Sequence, residues 1–148
     1  MAVPKIEGKW VGFYSYGKSY PKEFQRKKTP FTLEIVNTDG LIKGICDDEF
    51  TLSLFGKPAS IEGSAEKYSI NFIKKYPGLL TLDENSQPIA IPGEPSLDIQ
   101  YTGSLQKKFF SNKYILKGSW DISGSYLDEN GNANYYTNEG NWELKPAP

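Results

Sequence analysis

Histidine is missing from all 148 positions of this chain. With it go the Ser-His-Asp and Cys-His nucleophilic schemes, imidazole zinc sites and a proximal haem histidine. Cysteine occurs once, at Cys46, so no internal disulfide can form and a reducing compartment is expected. Its neighbours Asp47 and Asp48 disfavour a thiolate, which argues against a reactive thiol. Charge of one sign is not in excess: 17 Lys and Arg face 18 Asp and Glu, for a net charge of −1, which gives no electrostatic case for nucleic acid or an anionic membrane. No apolar run approaches the length of a bilayer span, and the opening Met1-Ala2-Val3-Pro4-Lys5 is not an apolar leader. A soluble, cytoplasmic protein is expected. Asp47-Asp48-Glu49 lacks the spaced oxygen ligands and turn glycine of a calcium loop, so neither a metal nor a cofactor is expected. Sustained helical periodicity is absent as well.

What is present is aromatic and glycine-punctuated. Aromatic residues make up 14% of the chain, ten of them tyrosines, which is far from the composition of a disordered polymer. A chain of 148 residues forms one domain (1–148) with enough mass for a core unaided by disulfides. A unit of apolar residue, spacer, glycine, spacer, apolar residue recurs along it. It is seen around Gly12, Gly44, Gly63, Gly103 and Gly118, and again around Gly140 with Asn138 in the leading place. In a strand, residues two apart share a face, so each glycine lies with its bulky neighbours. Repeated large-small-large packing on the inner face of bent strands is what a closed barrel requires.

Eight strands follow from the alternation: about 9–16, 31–36, 41–46, 59–65, 68–75, 98–105, 114–122 and 139–145. Asn37-Thr38-Asp39-Gly40 is a hairpin signal, and Pro77-Gly78 opens the longest irregular stretch, 76–97. Asn130-Gly131 reads as the tip of a hairpin extension. The fold expected is all-β, a single up-and-down antiparallel barrel of about eight strands. Its connections alternate in length, and successive connections of such a barrel fall at opposite ends. The long stretches 17–30, 47–58, 76–97 and 123–138 therefore gather at one rim, and long loops on a rigid scaffold are more often functional.

Following the glycine face outward places Tyr16, Asp48, Lys74, Tyr76, Ile99, Tyr101 and Ile122 near that rim, with Tyr14, Phe72, Trp120 and Trp142 deeper. Aromatic walls with a few polar groups suit a small organic ligand. The ligand-binding candidates are thus Tyr14, Tyr16, Asp48, Phe72, Lys74, Tyr76, Tyr101, Trp120 and Trp142. For Lys74 two outcomes stand open: burial with Asp48 or a tyrosine hydroxyl as partner, or escape of its ammonium to solvent at the strand end.

Gly8-Lys9-Trp10 at the start of the first strand resembles the G-x-W signature of the lipocalins, within the wider calycin group that includes avidins and fatty-acid-binding proteins. The resemblance implies a tryptophan packed at the closed end of the barrel and ligand access from the long-loop end. The departures are the missing disulfide and terminal helix of secreted lipocalins, and a first loop too short for the two helices of fatty-acid-binding proteins. No biotin-site pattern of the avidins is legible.

The leading expectation is non-catalytic binding of a small, partly apolar ligand inside a calycin-like barrel. The alternative is a protein-interaction module that uses the rim loops, so the partner is a small molecule or a protein, with neither nucleic acid nor membrane expected. A catalyst would have to draw on Asp48, Lys74, Tyr76 or Tyr101. Lys22, Arg26, Lys27 and Lys28 make the first loop basic, against acidic residues on the other three. That lip reads an anion, meets a partner, or pairs with the acidic loops. Phe109-Phe110 is expected to plug the closed end.

Overall fold

A computed structural model describes residues 5–82, 85, 88–91, 93–108, 111 and 113–148, with the backbone alone at 49, 50, 81, 82, 88, 126 and 127. The elements in chain order are β1 (Gly8–Tyr16), α1 (Lys22–Gln25), β2 (Lys28–Thr38), β3 (Leu41–Asp48), α2 (Glu49–Phe55), β4 (Ala59–Ala65) and β5 (Ser69–Lys75). Then come β6 (Leu79–Leu82), β7 (Pro88–Ile91), β8 (Ile99–Lys107), β9 (Tyr114–Leu127) and β10 (Ala133–Pro146). Eight of the ten strands close into one barrel in the order β1-β10-β9-β8-β5-β4-β3-β2, and β6 and β7 form a separate two-stranded hairpin. Every neighbouring pair in the barrel is antiparallel. This is the all-β, up-and-down antiparallel barrel of eight strands expected from the sequence.

The side-chain alternation expected along the strands is met. Trp10 and Tyr14 of β1, Phe31, Leu33 and Ile35 of β2, Ile42 and Cys46 of β3, Ile61 of β4 and Phe72 of β5 are buried. So are Tyr101 and Leu105 of β8, Leu116 and Trp120 of β9, and Trp142 and Leu144 of β10. The outer face carries Lys43, Glu62, Lys117 and Glu143, exposed or half-buried, which pair across strands as Lys43–Glu62 and Lys117–Glu143. Such exposed pairs contribute little. The glycines sit where two strands crowd. Gly103 and Gly118 are direct cross-strand partners. A Cβ on Gly118 would run into the Thr102 carbonyl and the Gly103 Cα, and one on Gly103 into the Trp142 ring. The absent side chains make the seat for Trp142.

The closed end forms as expected at the tight turns. Asp39 and Gly40, at φ 51° and 94°, make the two-residue connection of β2 to β3, and Gly40 N donates to Asn37 Oδ1 at 2.9 Å. Trp10 is buried nearby, its Nε1 donating to the Glu7 carbonyl at 3.0 Å, and Ile6 continues the inner face beneath it. Phe109-Phe110 lies outside the described residues.

The rim differs from expectation in three places. The fourth long loop is mostly strand: β9 runs five residues past the expected Ile122 and β10 begins six before Glu139. The alternation continues on this extension. Gly124, Asn134, Tyr136 and Asn138 are half-buried on the inner side, whereas Ser123, Ser125, Thr137 and Tyr135 are exposed. Its turn is held by Asp128, whose Oδ1 accepts from the backbone of Asn130 and Asn132, both at 2.9 Å. The stretch 76–97 contains the β6–β7 hairpin, which packs against α2. Two short helices, α1 and α2, occupy the first two long loops. No helix among the described residues is long and apolar enough to cross a membrane.

Candidate functional site

β3 ends at Asp48, and its carboxylate starts the helix that follows. Asp48 Oδ1 accepts from Thr51 N at 2.8 Å and from Thr51 Oγ1 at 2.7 Å, the arrangement of an N-cap aspartate and its third helical residue. This fixes α2 over the loop-bearing mouth of the barrel, with Thr51 fully buried. At the other end of α2, Phe55 stacks on Tyr76 with ring centroids 6.2 Å apart.

The second carboxylate oxygen faces inward. Lys74 Nζ lies 3.1 Å from Asp48 Oδ2, and Lys74 is only 1% exposed. The tyrosine hydroxyls of Tyr14 and Tyr76 donate to the same oxygen at 3.2 and 3.4 Å. Three rings surround the ammonium, with centroids at 4.6 Å (Tyr76), 5.1 Å (Tyr14) and 5.9 Å (Tyr101). Lys74 is therefore buried and paired; the alternative, an ammonium in solvent at the strand end, is not what the fold produces. The placement follows from β5. Ile70, Phe72 and Lys74 share its inner face, and the register sets Lys74 opposite Ile61 and Ile99.

Electrostatics lock the pair in its charged form. Burial raises the Asp48 carboxyl, but the Lys74 ammonium and the Thr51 hydrogen bonds outweigh it and hold it below the ordinary aspartate range. For Lys74, burial opposes the charge. The surrounding acidic groups (Cys46, Tyr101 and Tyr76 when ionised, and Asp48 at neutral pH) hold it well above the ordinary lysine range. Burial pushes the Tyr76 hydroxyl up to about 12 and the Cys46 thiol up to about 11. Tyr14 and Tyr101 are raised for the same reason.

Above this centre the mouth is aromatic. Tyr16 packs edge-on against Tyr20, Phe24 and Trp120 at centroid distances of 4.9, 5.7 and 5.9 Å. Trp120 Nε1 donates to the Ser15 carbonyl at 3.0 Å, which ties β9 to β1 across β10. Below it the barrel is tightly filled: Phe72 stacks on Tyr101 at 4.8 Å, and Trp142 meets both rings at 6.1 and 5.9 Å. Of the nine candidates, the structure gathers Tyr14, Asp48, Lys74, Tyr76 and Tyr101 into one cluster and puts Tyr16 and Trp120 at the mouth. Phe72 and Trp142 form the floor.

Three participants were not among the candidates. Thr51 was signalled by the D-x-x-T spacing of an N-cap with its third helical residue, followed by Leu52 and Phe55. Tyr20 and Phe24 lie on the basic loop, where no strand periodicity marks a face. The cations of that loop make no ion pair with a described acidic residue. Instead Lys27 and Lys28 lie over the rings of Phe24 and Phe13, at 5.1 and 4.5 Å. Pairing between the basic and acidic loops is thus not seen among the described residues. No metal-holding group of acidic or cysteine side chains occurs among them either.

No family model matches the sequence, and no curated protein sequence matches it. Among solved structures, rhizavidin is similar at a TM-score of 0.48 and 12% identity, over 93% of this chain and 84% of that one. The rhizavidin–biotin complex is similar at 0.49 and 13%, over 100% and 98%. A likeness this distant bears on neither the site nor its ligand.

Proposed function

We propose that this chain is a non-catalytic binding protein for a small, partly apolar molecule, held in the loop-crowned half of a single barrel domain. The observation that carries the reading is the Lys74–Asp48 pair, buried among three tyrosines in an otherwise apolar interior. A buried ion pair is no more stable than well-packed apolar residues of the same volume, so folding alone does not call for it. The half-buried aromatics at the mouth supply the apolar part of a recognition surface. Catalysis is disfavoured because no group of the cluster exchanges protons near neutral pH: Asp48 is held ionised, Lys74 protonated and the phenols neutral. The buried, unpaired Cys46 suits a reducing, cytoplasmic setting.

Native mass spectrometry of the purified chain against a metabolite library tests this. A saturable one-to-one complex is expected, weakened in Tyr16→Ala and in Lys74→Ala/Tyr101→Ala. The rim variant guards against loss of binding through misfolding of the interior one. Absence of any saturable complex with the wild-type chain, or equal binding by both variants, refutes the proposal.

A second reading has its own observation. Leu52 of α2 and Ile89 and Ile91 of β7 are exposed on two elements that pack together, an apolar surface suited to a partner protein. Capture of a partner by the wild-type chain, lost when residues 79–91 are replaced by a short linker, is the outcome this alternative expects.

A further inference from the structure

Two strands of the barrel outrun their neighbours. β1 pairs with β10 only as far as Tyr16 opposite Gly140, and β8 pairs with β9 only as far as Ile99 opposite Ile122. Beyond those points β9 and β10 pair with each other alone, out to Leu127 and Ala133. The β10 edge of this ribbon is capped at its root. Gly17 N donates to the Glu139 carbonyl at 2.7 Å, and Glu139 N donates to Ser19 Oγ at 3.2 Å. Both backbone groups of Glu139 thus point away from β9. Successive residues of a strand turn these groups to alternate sides, so those of Thr137 and Tyr135 point the same way as Glu139. Among the described residues nothing pairs with them, and both residues are exposed, Tyr135 by 83%.

Sheet edges are ordinarily blunted by lysine, proline or a bulge. This one has none: the register of β9 with β10 is unbroken, and no lysine, arginine or proline occurs between Lys117 and Lys145. The same stretch holds five acidic residues. Two of them, Asp121 and Glu139, stand directly opposite each other, exposed and without a described cation, and like charges so placed repel. A residue laid opposite Thr137 on the open edge would be diagonal to both Glu139 and Tyr135, within reach of a long side chain. A lysine or arginine there meets a carboxylate on one side and an aromatic ring on the other. Its own backbone exchanges both hydrogen bonds with Thr137. We propose that this edge takes up an extended, basic peptide segment of a partner protein, antiparallel to β10, in the lane that β1 leaves at Tyr16. This is a second activity beyond the small-molecule reading, and it uses no residue of the Lys74 centre.

The probe is an acetylated, amidated octapeptide of alternating valine and lysine, fluorescein-labelled and titrated into the full chain with anisotropy as readout. It is expected to bind about tenfold or more tightly than its valine–glutamate counterpart, and to slow amide exchange at Tyr135 and Thr137. N-methylation at the lysines removes the donors facing β10 and is expected to weaken binding about tenfold, whereas N-methylation at the valines changes it about twofold or less. Thr137→Pro removes an outward N–H that β9 does not use, a place where a strand tolerates proline. With the barrel's circular dichroism intact, that variant is expected to lose the peptide. Equal binding of the two N-methylated peptides means attraction by charge alone and overturns the pairing. Equal binding of the glutamate peptide overturns the basic partner. A concentration-dependent dimer of the chain that disappears in Thr137→Pro gives the edge to a second copy and overturns the peptide. No saturation at millimolar peptide overturns the proposal outright, and leaves the small-molecule reading to its own test.

Discussion

Replacing Lys74 by methionine removes the cation from Asp48 and leaves a carboxylate buried among phenol rings. Breaking a buried pair from one side costs about 3–5 kcal/mol, and that loss in urea unfolding is expected for Lys74→Met. Lys74→Met/Asp48→Asn is expected to recover more than half of it, because the asparagine keeps an oxygen for Thr51 and no charge is stranded. The pair also sets an acid limit. The Asp48 carboxyl is held below its ordinary value of 3.8, so the stability it contributes is present above that pH and is lost as pH falls through the lower folded value. The stability gap between the wild-type chain and Asp48→Asn is therefore expected to narrow below about pH 4 in acid titrations followed by circular dichroism.

Among the elements, β9 tests which way the strands face. Gly118 and Lys117 are consecutive, yet one abuts the Thr102 carbonyl inside the wall and the other is exposed. Gly118→Val is expected to cost about 1–3 kcal/mol or more through overpacking, and Lys117→Val much less. Similar losses from both would contradict the facing of the whole strand. The β9–β10 extension depends on its turn in a different way. Asp128→Ala removes the acceptor for Asn130 N and Asn132 N. Its expected signature is faster amide exchange from about Ser123 to Thr137, with the barrel strands unaffected.

At the scale of the molecule, the tyrosines report on the barrel as a unit. Burial raises Tyr14, Tyr20, Tyr76 and Tyr101 above the ordinary phenol value of 10.0, Tyr76 to about 12. A raised folded value means that the contribution is fully present below pH 10 and is lost as pH rises through the folded value. In an alkaline titration these four phenols are expected to ionise only with cooperative unfolding, seen as phenolate absorbance rising together with loss of the barrel's circular dichroism. Ionisation of all ten tyrosines near pH 10 with the fold intact would contradict the packing of the interior.

The barrel was legible because it is written locally. Alternation at Phe31-Leu33-Ile35 or Ile70-Phe72-Lys74, and glycines beside bulky residues, state which face is inward without reference to any other strand. The rim was less legible, since Ser, Asn and Gly between Ile122 and Asn138 read as loop, and prolines masked the β6–β7 hairpin. There, strand pairing is held by partners across the hairpin rather than by intrinsic preference. Asp48, Lys74 and Tyr101 could each be placed on the inner face from sequence. That they meet is a matter of pairing and register: β3 and β5 flank β4, β8 pairs with β5, and β1 brings Tyr14 from two strands away across β2. Alternation along a strand is a property of the chain by itself. Which side chains share the interior, and whether a lysine there finds its carboxylate, is decided only by the curvature and register of the closed sheet.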